Sequence, residues 1–208
     1  MKINLPNQIT IARLFLSIIL FGCLAFFSAS DPQPKLWLLD ICTALFLIAA
    51  LSDALDGYLA RKQNEITSFG RILDPFVDKI LVCGTFAFLA GDGFVNAQGV
   101  LVSDVQGWML VVILGRELLV TSLRGVTEGG GQSFGANLYG KTKMVLQSAT
   151  AVTVLVTIAH PDGIFGTPWF TYGRVILLYL TVIVTLLSMF SYLHAARGVL
   201  LHMSVSGK

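Results

Sequence analysis

Long apolar segments recur along the chain and limit its fold more than any other feature. Leu14 to Phe27 contains no charged residue, and with Ile9 to Ala12 it is long enough to cross a bilayer as a helix. Inside lipid the backbone must satisfy its own hydrogen bonds, which a helix does within one segment. Of the 208 residues, 55% are hydrophobic and 12% charged, unlike a typical soluble domain. We therefore predict an all-α, polytopic membrane protein in which residues 1–208 form a single domain.

Six membrane-spanning helices are predicted from the spacing of these segments. Turn formers or charged residues separate each apolar stretch from the next. The predicted spans are Leu14 to Phe27 with Ile9 to Ala12, Leu36 to Leu59, Ile72 to Ala90, Gly107 to Leu123, Met144 to Ala159, and Val175 to Leu193. The first is alternatively a cleavable signal peptide, since small residues follow its apolar core. Pro75 removes one helical N–H, so we expect a distortion or a helix start there.

Four aspartates lie at one end of the second and third predicted spans. The sequence there reads Asp53-x-x-Asp56-Gly57-x-x-Ala60-Arg61, then eight residues, then Gly70-x-x-x-Asp74-x-x-x-Asp78. On a helix the first group falls within a stripe about 140° wide, and the second group repeats at i, i+4 and i+8. The four carboxylates are therefore predicted to face one another across a helix pair.

Such a cluster of acids requires a counter-charge. One ionised aspartate costs roughly 2.5–3.5 kcal/mol at the centre of a membrane helix, and the neighbouring Arg61, Arg71 and Lys79 cannot each reach all four acids. Carboxylate oxygens without Cys or His favour Mg²⁺, Mn²⁺ or Ca²⁺ over zinc. Two such ions are the arrangement that in-line phosphoryl displacement uses.

Gly57 and Gly70 share the faces that carry the acids. A residue without a side chain leaves room there for a ligand to approach the backbone, although glycine costs about 1 kcal/mol in a helix relative to alanine. The alternative is that these small residues only allow two membrane helices to pack closely.

The spacing Asp-x2-Asp-Gly-x2-Ala-Arg-x8-Gly-x3-Asp-x3-Asp resembles the motif of the CDP-alcohol phosphatidyltransferase family, with all eight fixed positions present. The resemblance implies an integral membrane enzyme of six spans, usually a homodimer, that transfers a phosphatidyl or related group from a CDP-linked donor to an alcohol and releases CMP. It implies two divalent ions, Mg²⁺ or Mn²⁺, held by Asp53, Asp56, Asp74 and Asp78, with Asp78 as general base. It also implies donor contacts from Asp53, Asp56, Gly57, Ala60, Arg61 and Gly70.

The acceptor is indicated by cations at the fourth and fifth predicted spans. Arg116 and Arg124 lie two turns apart, and Lys141 and Lys143 return to the same end. Guanidinium and ammonium groups suit phosphate oxygens, so we predict a pocket for a phosphorylated alcohol. The alternative is that Arg116 and the adjacent Glu117 neutralise each other and that the lysines are ordinary flanking anchors.

Both segments also resemble the Arg-Glu-x6-Arg and Gly-Lys-x-Lys-x3-Gln patterns of phosphatidylglycerophosphate synthases within the same family. That resemblance implies CDP-diacylglycerol as donor and glycerol 3-phosphate as acceptor. The nearest alternative is a cardiolipin synthase of the CDP-alcohol type, whose acceptor is phosphatidylglycerol. Outside the family, intramembrane carboxylates are also typical of a divalent-cation transporter, although here all four crowd one membrane face.

Charge placement predicts the orientation. Of the 14 Lys and Arg residues, only Lys35 and Arg174 fall on the side opposite the termini if there are six spans. The positive-inside rule then places both termini and the active site at the cytoplasmic face, and we expect a bacterial cell (inner) membrane. No basic run indicates nucleic-acid binding.

Two further patterns concern isolated polar residues. Asn7, Thr10 and Arg13 repeat at helical spacing, as expected for the first turns of a span that faces a polar site. The three cysteines and three histidines show no metal-ligand spacing, and the cysteines are interpreted as small buried hydrophobes.

Overall fold

A computed structural model describes residues 5–63, 68–129 and 138–206, with side chains except at 5–6, 54–63, 68–69, 71–72, 126–129, 138–141, 195–196 and 198–206. In those ranges the chain forms six α-helices, which confirms the all-α prediction. They are α1 (Leu5–Phe26), α2 (Leu36–Gln63), α3 (Ser68–Leu89), α4 (Gly107–Gly129), α5 (Leu138–Ala159) and α6 (Pro168–Ser206). Short 3₁₀ turns, Asp92–Phe94 and Ile164–Gly166, lie in the α3–α4 and α5–α6 connections.

Several helix boundaries differ from the prediction, most clearly in α3 and α6. Helix α3 begins at Ser68, so Pro75 lies inside it and the predicted helix start at Pro75 is wrong. Helix α6 has 39 residues and continues to Ser206, beyond the predicted end of the sixth span at Leu193. At 1.5 Å per residue it is about 58 Å long, roughly twice the thickness of a bilayer core. The whole of α6 is therefore too long to lie within one bilayer core.

Four helices contain a stretch that is long and apolar enough to cross a membrane. These stretches are Asn7–Phe26, Leu36–Asp53, Thr142–Ala159 and Pro168–His194. Helices α3 and α4 have 22 and 23 residues, but charged residues such as Asp74, Asp78, Arg116 and Glu117 interrupt their apolar sequence. Length and composition alone therefore assign four of the six predicted spans.

Helix α1 lies between α2 and α3 and packs extensively against both of them. On the other side of the bundle, α5 packs against α2 and α6, and α4 packs against α6. Apolar side chains from all six helices form one continuous core that includes Leu20, Phe46, Phe86, Ile113, Leu155 and Leu178. This arrangement brings the first turns of α1 and α3 next to the last turns of α2, where the regularly spaced acids lie in the sequence.

The α3–α4 connection is fixed to the opposite end of the bundle by polar contacts. Arg174 is buried, donates to Asp104 Oδ2 and also donates to Thr157 Oγ1 over 3.2 Å. Asp104 has a φ of 59°, a conformation that aspartate and asparagine tolerate better than most residues. At this end a buried cation therefore pairs with one carboxylate and one neutral hydroxyl.

Candidate active site

Arg13 joins two of the predicted aspartates. Its side chain is completely buried on α1, and its Nη1 atom donates to Asp53 Oδ1 on α2 over 2.7 Å and to Asp78 Oδ1 on α3. The two carboxylates therefore converge on one nitrogen atom although they are 25 positions apart in sequence and belong to different helices. Both aspartates remain partly accessible, with 29% and 27% of their side-chain surface exposed.

Thr10 brings α1 to the third aspartate. Its hydroxyl donates to Asp74 Oδ1 over 2.6 Å. Two helical turns beyond Thr10, Ser17 donates to the carbonyl of Arg13 over 2.9 Å. Asn7, Thr10, Arg13 and Ser17 are all buried, so they form a polar stripe on an otherwise apolar helix. The helical spacing of Asn7, Thr10 and Arg13 predicted such a stripe, and the structure confirms that it faces the acids.

The sequence predicted that the four carboxylates face one another across one pair of helices, but the described acids are joined through a third helix, α1. Helix α1 inserts Arg13 between Asp53 and Asp78, because it lies between α2 and α3 and packs against both. Gly70 is buried on α3. The side chains of the other predicted donor and metal residues lie outside the described part of the structure: Asp56, Gly57, Ala60 and Arg61.

The donor chemistry of this cluster fits a hard divalent cation. Asp53 and Asp78 present oxygen atoms to one point that a cationic group already occupies, and carboxylate oxygens are the ligands that Mg²⁺ and Mn²⁺ prefer. Among the described side chains, no three His, Cys, Asp or Glu residues form a metal-binding group. A complete ligand set would therefore need the fourth acid, Asp56, whose side chain is among those not described.

A single cavity connects the acids with the predicted acceptor cations. It has a volume of about 270 Å³ and lies between α3, α4 and α5. Its wall includes the carboxylates of Asp74 and Asp78 as well as Arg116, Arg124 and Lys143. These three cations come from two helices, and each lies more than thirty residues beyond Asp78 in the sequence. The two groups that the sequence predicted separately thus share one space.

Glu117 holds two of the cavity's cations. Its Oε1 atom accepts from Lys143 Nζ and lies 3.3 Å from Arg116 Nη1. All three side chains are buried. Arg116 and Glu117 therefore form an ion pair, as the alternative interpretation of the sequence expected. One carboxylate shared by two cations still leaves positive charge in the wall of the cavity.

Helix α6 supplies partners that the sequence did not reveal. Arg116 Nη2 donates to Ser188 Oγ over 2.6 Å, and Arg124 Nη2 donates to Tyr192 Oη over 2.7 Å. Both guanidinium groups also lie over the Tyr192 ring, at 5.2 Å and 5.4 Å from its centroid. Ser188 and Tyr192 lie in an apolar part of the sequence, and no local motif there indicates a functional role.

Lys79 is a further cation that the acceptor prediction omitted. It lines the same cavity, and its Nζ donates to the Pro75 carbonyl over 3.0 Å. Lys79 stands one turn beyond Pro75 on the same face of α3, so its side chain can reach back to that carbonyl. Lys141, which was predicted to belong to the pocket, lies in the part of α5 whose side chains are not described.

Residues 3–187 match the family model of CDP-alcohol phosphatidyltransferases. The match includes the four aspartates, the glycines between them and the cations of α4 and α5. It therefore spans all of the cavity wall that the structure describes.

Individual relatives are similar over nearly the whole chain. A Bacillus subtilis protein is 35% identical over 189 residues, which cover 86% of this chain and 90% of the relative. A Haemophilus influenzae protein is 32% identical and covers 97% of both chains. A Yersinia pestis protein is 30% identical and covers 97% of this chain and 99% of its own. All three carry the name CDP-diacylglycerol–glycerol-3-phosphate 3-phosphatidyltransferase.

Proposed function

Because the chain belongs to the CDP-alcohol phosphatidyltransferase family, we propose that it transfers the phosphatidyl group of CDP-diacylglycerol to glycerol 3-phosphate. The products would be phosphatidylglycerol phosphate and CMP. The observation that carries this proposal is the shared cavity, whose wall combines two aspartates of the family motif with four cations: Lys79, Arg116, Arg124 and Lys143. A nucleotide-lipid donor and a phosphorylated acceptor need these two kinds of group side by side.

In this proposal all six helices cross the membrane as a single domain. The outward faces of α3 and α4 are apolar and exposed at Phe76, Val111 and Leu118, while their charged residues line the cavity. Charged side chains in membrane helices are expected to face the bundle interior in this way. The positive-inside rule then places the cavity and both termini at the cytoplasmic side of a bacterial inner membrane, and the chain would act as a homodimer.

The donor would be held at the acidic end of the cavity. Asp53, Asp56, Asp74 and Asp78 would hold two divalent ions, Mg²⁺ or Mn²⁺, and Gly57, Ala60, Arg61 and Gly70 would contact the CDP part. When bound, the ions would supply positive charge against the diphosphate and the CMP leaving group. Arg13 and Thr10 fix the directions of three of these carboxylates, because they hydrogen-bond to them from a third helix.

The acceptor would enter at the basic end. Arg116 and Arg124, with Lys143 and Lys141, would bind the phosphate of glycerol 3-phosphate through charge-assisted hydrogen bonds. Tyr192 orients both guanidinium groups through its ring, and its hydroxyl accepts from Arg124. With its phosphate fixed there, the free hydroxyl of the acceptor would point toward the aspartates that line the same cavity.

The chemical step would be an in-line displacement at phosphorus. Asp78 accepts the proton of the acceptor's 1-hydroxyl, and that oxygen bonds to the β-phosphorus of the donor. The bond between the β-phosphorus and the bridging oxygen breaks, and CMP leaves with that oxygen. General-base assistance of this kind contributes about 10²- to 10⁴-fold in rate.

A soluble acceptor suits the cavity better than a lipid acceptor such as phosphatidylglycerol. The volume of about 270 Å³ is at the lower end of what ligand sites offer, and much of the wall is charged. A phosphatidylglycerol acceptor would carry its phosphate near the acyl chains and would not need a group of cations inside the bundle. We therefore assign the cations to a small phosphorylated alcohol rather than to cardiolipin synthesis.

A comparison of acceptor alcohols tests this assignment. The purified protein in detergent with CDP-diacylglycerol and Mg²⁺ is given labelled glycerol 3-phosphate, serine, inositol phosphate or phosphatidylglycerol in separate reactions. We expect CMP release and labelled lipid only with glycerol 3-phosphate, and none after chelation with EDTA. Turnover with phosphatidylglycerol at a comparable rate would overturn the choice of acceptor, and turnover that survives EDTA would overturn the metal site.

A further inference from the structure

Arg13 is the only cation that the described structure places in direct contact with two aspartates of the acidic motif. It is completely buried, and both carboxylates bond to the same Nη1 atom. An arginine guanidinium is not deprotonated in proteins, so Arg13 keeps its charge although it is buried. A permanent positive charge therefore lies within hydrogen-bonding distance of the oxygens that would bind a divalent ion.

That position has two opposing consequences. A cation beside Asp53 and Asp78 holds the two helices α2 and α3 in register, because each carboxylate is tied to α1. The same charge repels any second cation that approaches those oxygens, and the repulsion is weakly screened because Arg13 is buried. A residue that organises the carboxylates would thus also lower their affinity for a divalent ion.

We propose that Arg13 is a built-in counter-cation that competes with divalent ions for Asp53 and Asp78 and couples their binding to that of the diphosphate donor. The donor brings negative charge to the same place, so it offsets the repulsion between Arg13 and the ions. Metal and donor would then bind cooperatively, and each would raise the affinity of the other by the same factor. This inference rests on the proposed function, since it takes the acids as metal ligands and a CDP-linked lipid as donor.

The test measures Mn²⁺ binding without turnover, by electron paramagnetic resonance of free Mn²⁺ in detergent. Arg13→Gln removes the charge and keeps a polar side chain. We expect it to bind Mn²⁺ about 5-fold or more tightly than the wild type when no donor is present. Adding CDP-diacylglycerol should tighten Mn²⁺ binding to the wild type by a larger factor than binding to the variant, in which only the direct attraction between the ions and the diphosphate remains.

Arg174→Gln is the matched control. Arg174 is also a buried arginine bonded to an aspartate, but it lies at the other end of the bundle. Its loss should lower the thermal stability of the protein and leave the Mn²⁺ affinity unchanged. A change of Mn²⁺ affinity in both variants would mean that any loss of a buried arginine alters the site, which would overturn the specific role of Arg13.

The remaining outcomes are separable. If Arg13→Gln binds Mn²⁺ more weakly than the wild type, or equally, the competition is refuted and the proposed reaction is untouched. If the wild type binds no Mn²⁺ with or without donor, both the inference and the metal part of the proposed function fail. If Arg13→Gln does not fold, Arg13→Lys is used, because lysine keeps the positive charge. An unchanged Mn²⁺ affinity of Arg13→Lys supports the proposal. An affinity that is altered about 5-fold or more refutes it.

Discussion

Buried charge is arranged differently at the two ends of the helix bundle. At the end formed by the α3–α4 connection, Arg174 meets Asp104, and Thr157 completes the contact. At the cavity end, Arg13 is shared by two carboxylates. One arginine paired with one aspartate leaves no excess charge, and the main effect of the pair is to join two elements of the fold.

A second charged cluster at the cavity end contains more cations than carboxylates. Glu117 is shared by Arg116 and Lys143. An excess of carboxylate in one cluster favours cations, and an excess of cations in its neighbour favours anions. A buried charge by itself therefore does not identify a functional site. A metal-dependent transfer between phosphate compounds requires two adjacent clusters, one with an excess of carboxylates and one with an excess of cations.

The largest expected effect concerns Asp78. Asp78→Asn removes the proton acceptor and should lower the rate of CMP release about 10²- to 10⁴-fold, with little change in helical content. Asp104→Asn is the control at the other end, because asparagine also tolerates the positive φ there. It should lower stability and keep turnover. Near-normal turnover by Asp78→Asn would eliminate it as the base.

Removing the acid shared by two cations should mainly affect stability. Glu117→Gln leaves Arg116 and Lys143 buried without their carboxylate, which costs about 3–5 kcal/mol when a buried pair is broken. Asp40→Asn is the contrasting control, since Asp40 is half-exposed beside His160 and such pairs contribute at most about 1 kcal/mol.

Thermal unfolding in detergent measures both Glu117→Gln and Asp40→Asn. Glycerol 3-phosphate should raise the melting temperature of Glu117→Gln more than that of the wild type, because the phosphate would supply the missing negative charge. An equal rise in both proteins would argue against a phosphate site at this cluster.

Arg124→Gln should weaken acceptor binding without a comparable effect on the donor. One charge-assisted hydrogen bond is worth about 1.5–3 kcal/mol, so the KM for glycerol 3-phosphate should rise about 10- to 100-fold. Steady-state kinetics with each substrate varied in turn give the two KM values. The control is Arg174→Gln, which should change neither. A larger rise in the KM for CDP-diacylglycerol would place Arg124 on the donor side.

The smallest expected effect concerns Thr10. Thr10→Val keeps the shape of the side chain and removes its hydrogen bond to Asp74, which should lower turnover less than about 10-fold. Thr85→Val serves as control, since Thr85 is equally buried but bonds only to the Leu81 carbonyl of its own helix. If both variants lose the same small fraction of activity, Thr10 has no special role in orienting Asp74.

Much of the fold was predictable because apolar segments in a membrane protein must be helical. The six helices appear where the apolar runs predicted them, with ends that shift by several residues because charged and polar residues also continue a helix. The spacing of Asp74 and Asp78 at i and i+4 likewise placed them on one face of α3, and both line the cavity. These features depend only on neighbours along the chain.

The sequence by itself determined which residues carry the charge, that they lie on helices, and which family they indicate, because helical periodicity and fixed spacing are local properties. Only the tertiary structure decided that Arg13 stands between Asp53 and Asp78 and that Tyr192 lies beneath Arg116 and Arg124. Those contacts join residues 40 to 76 positions apart. Their existence depends on how α1 and α6 rotate and cross against the other helices, and no short stretch of sequence encodes that.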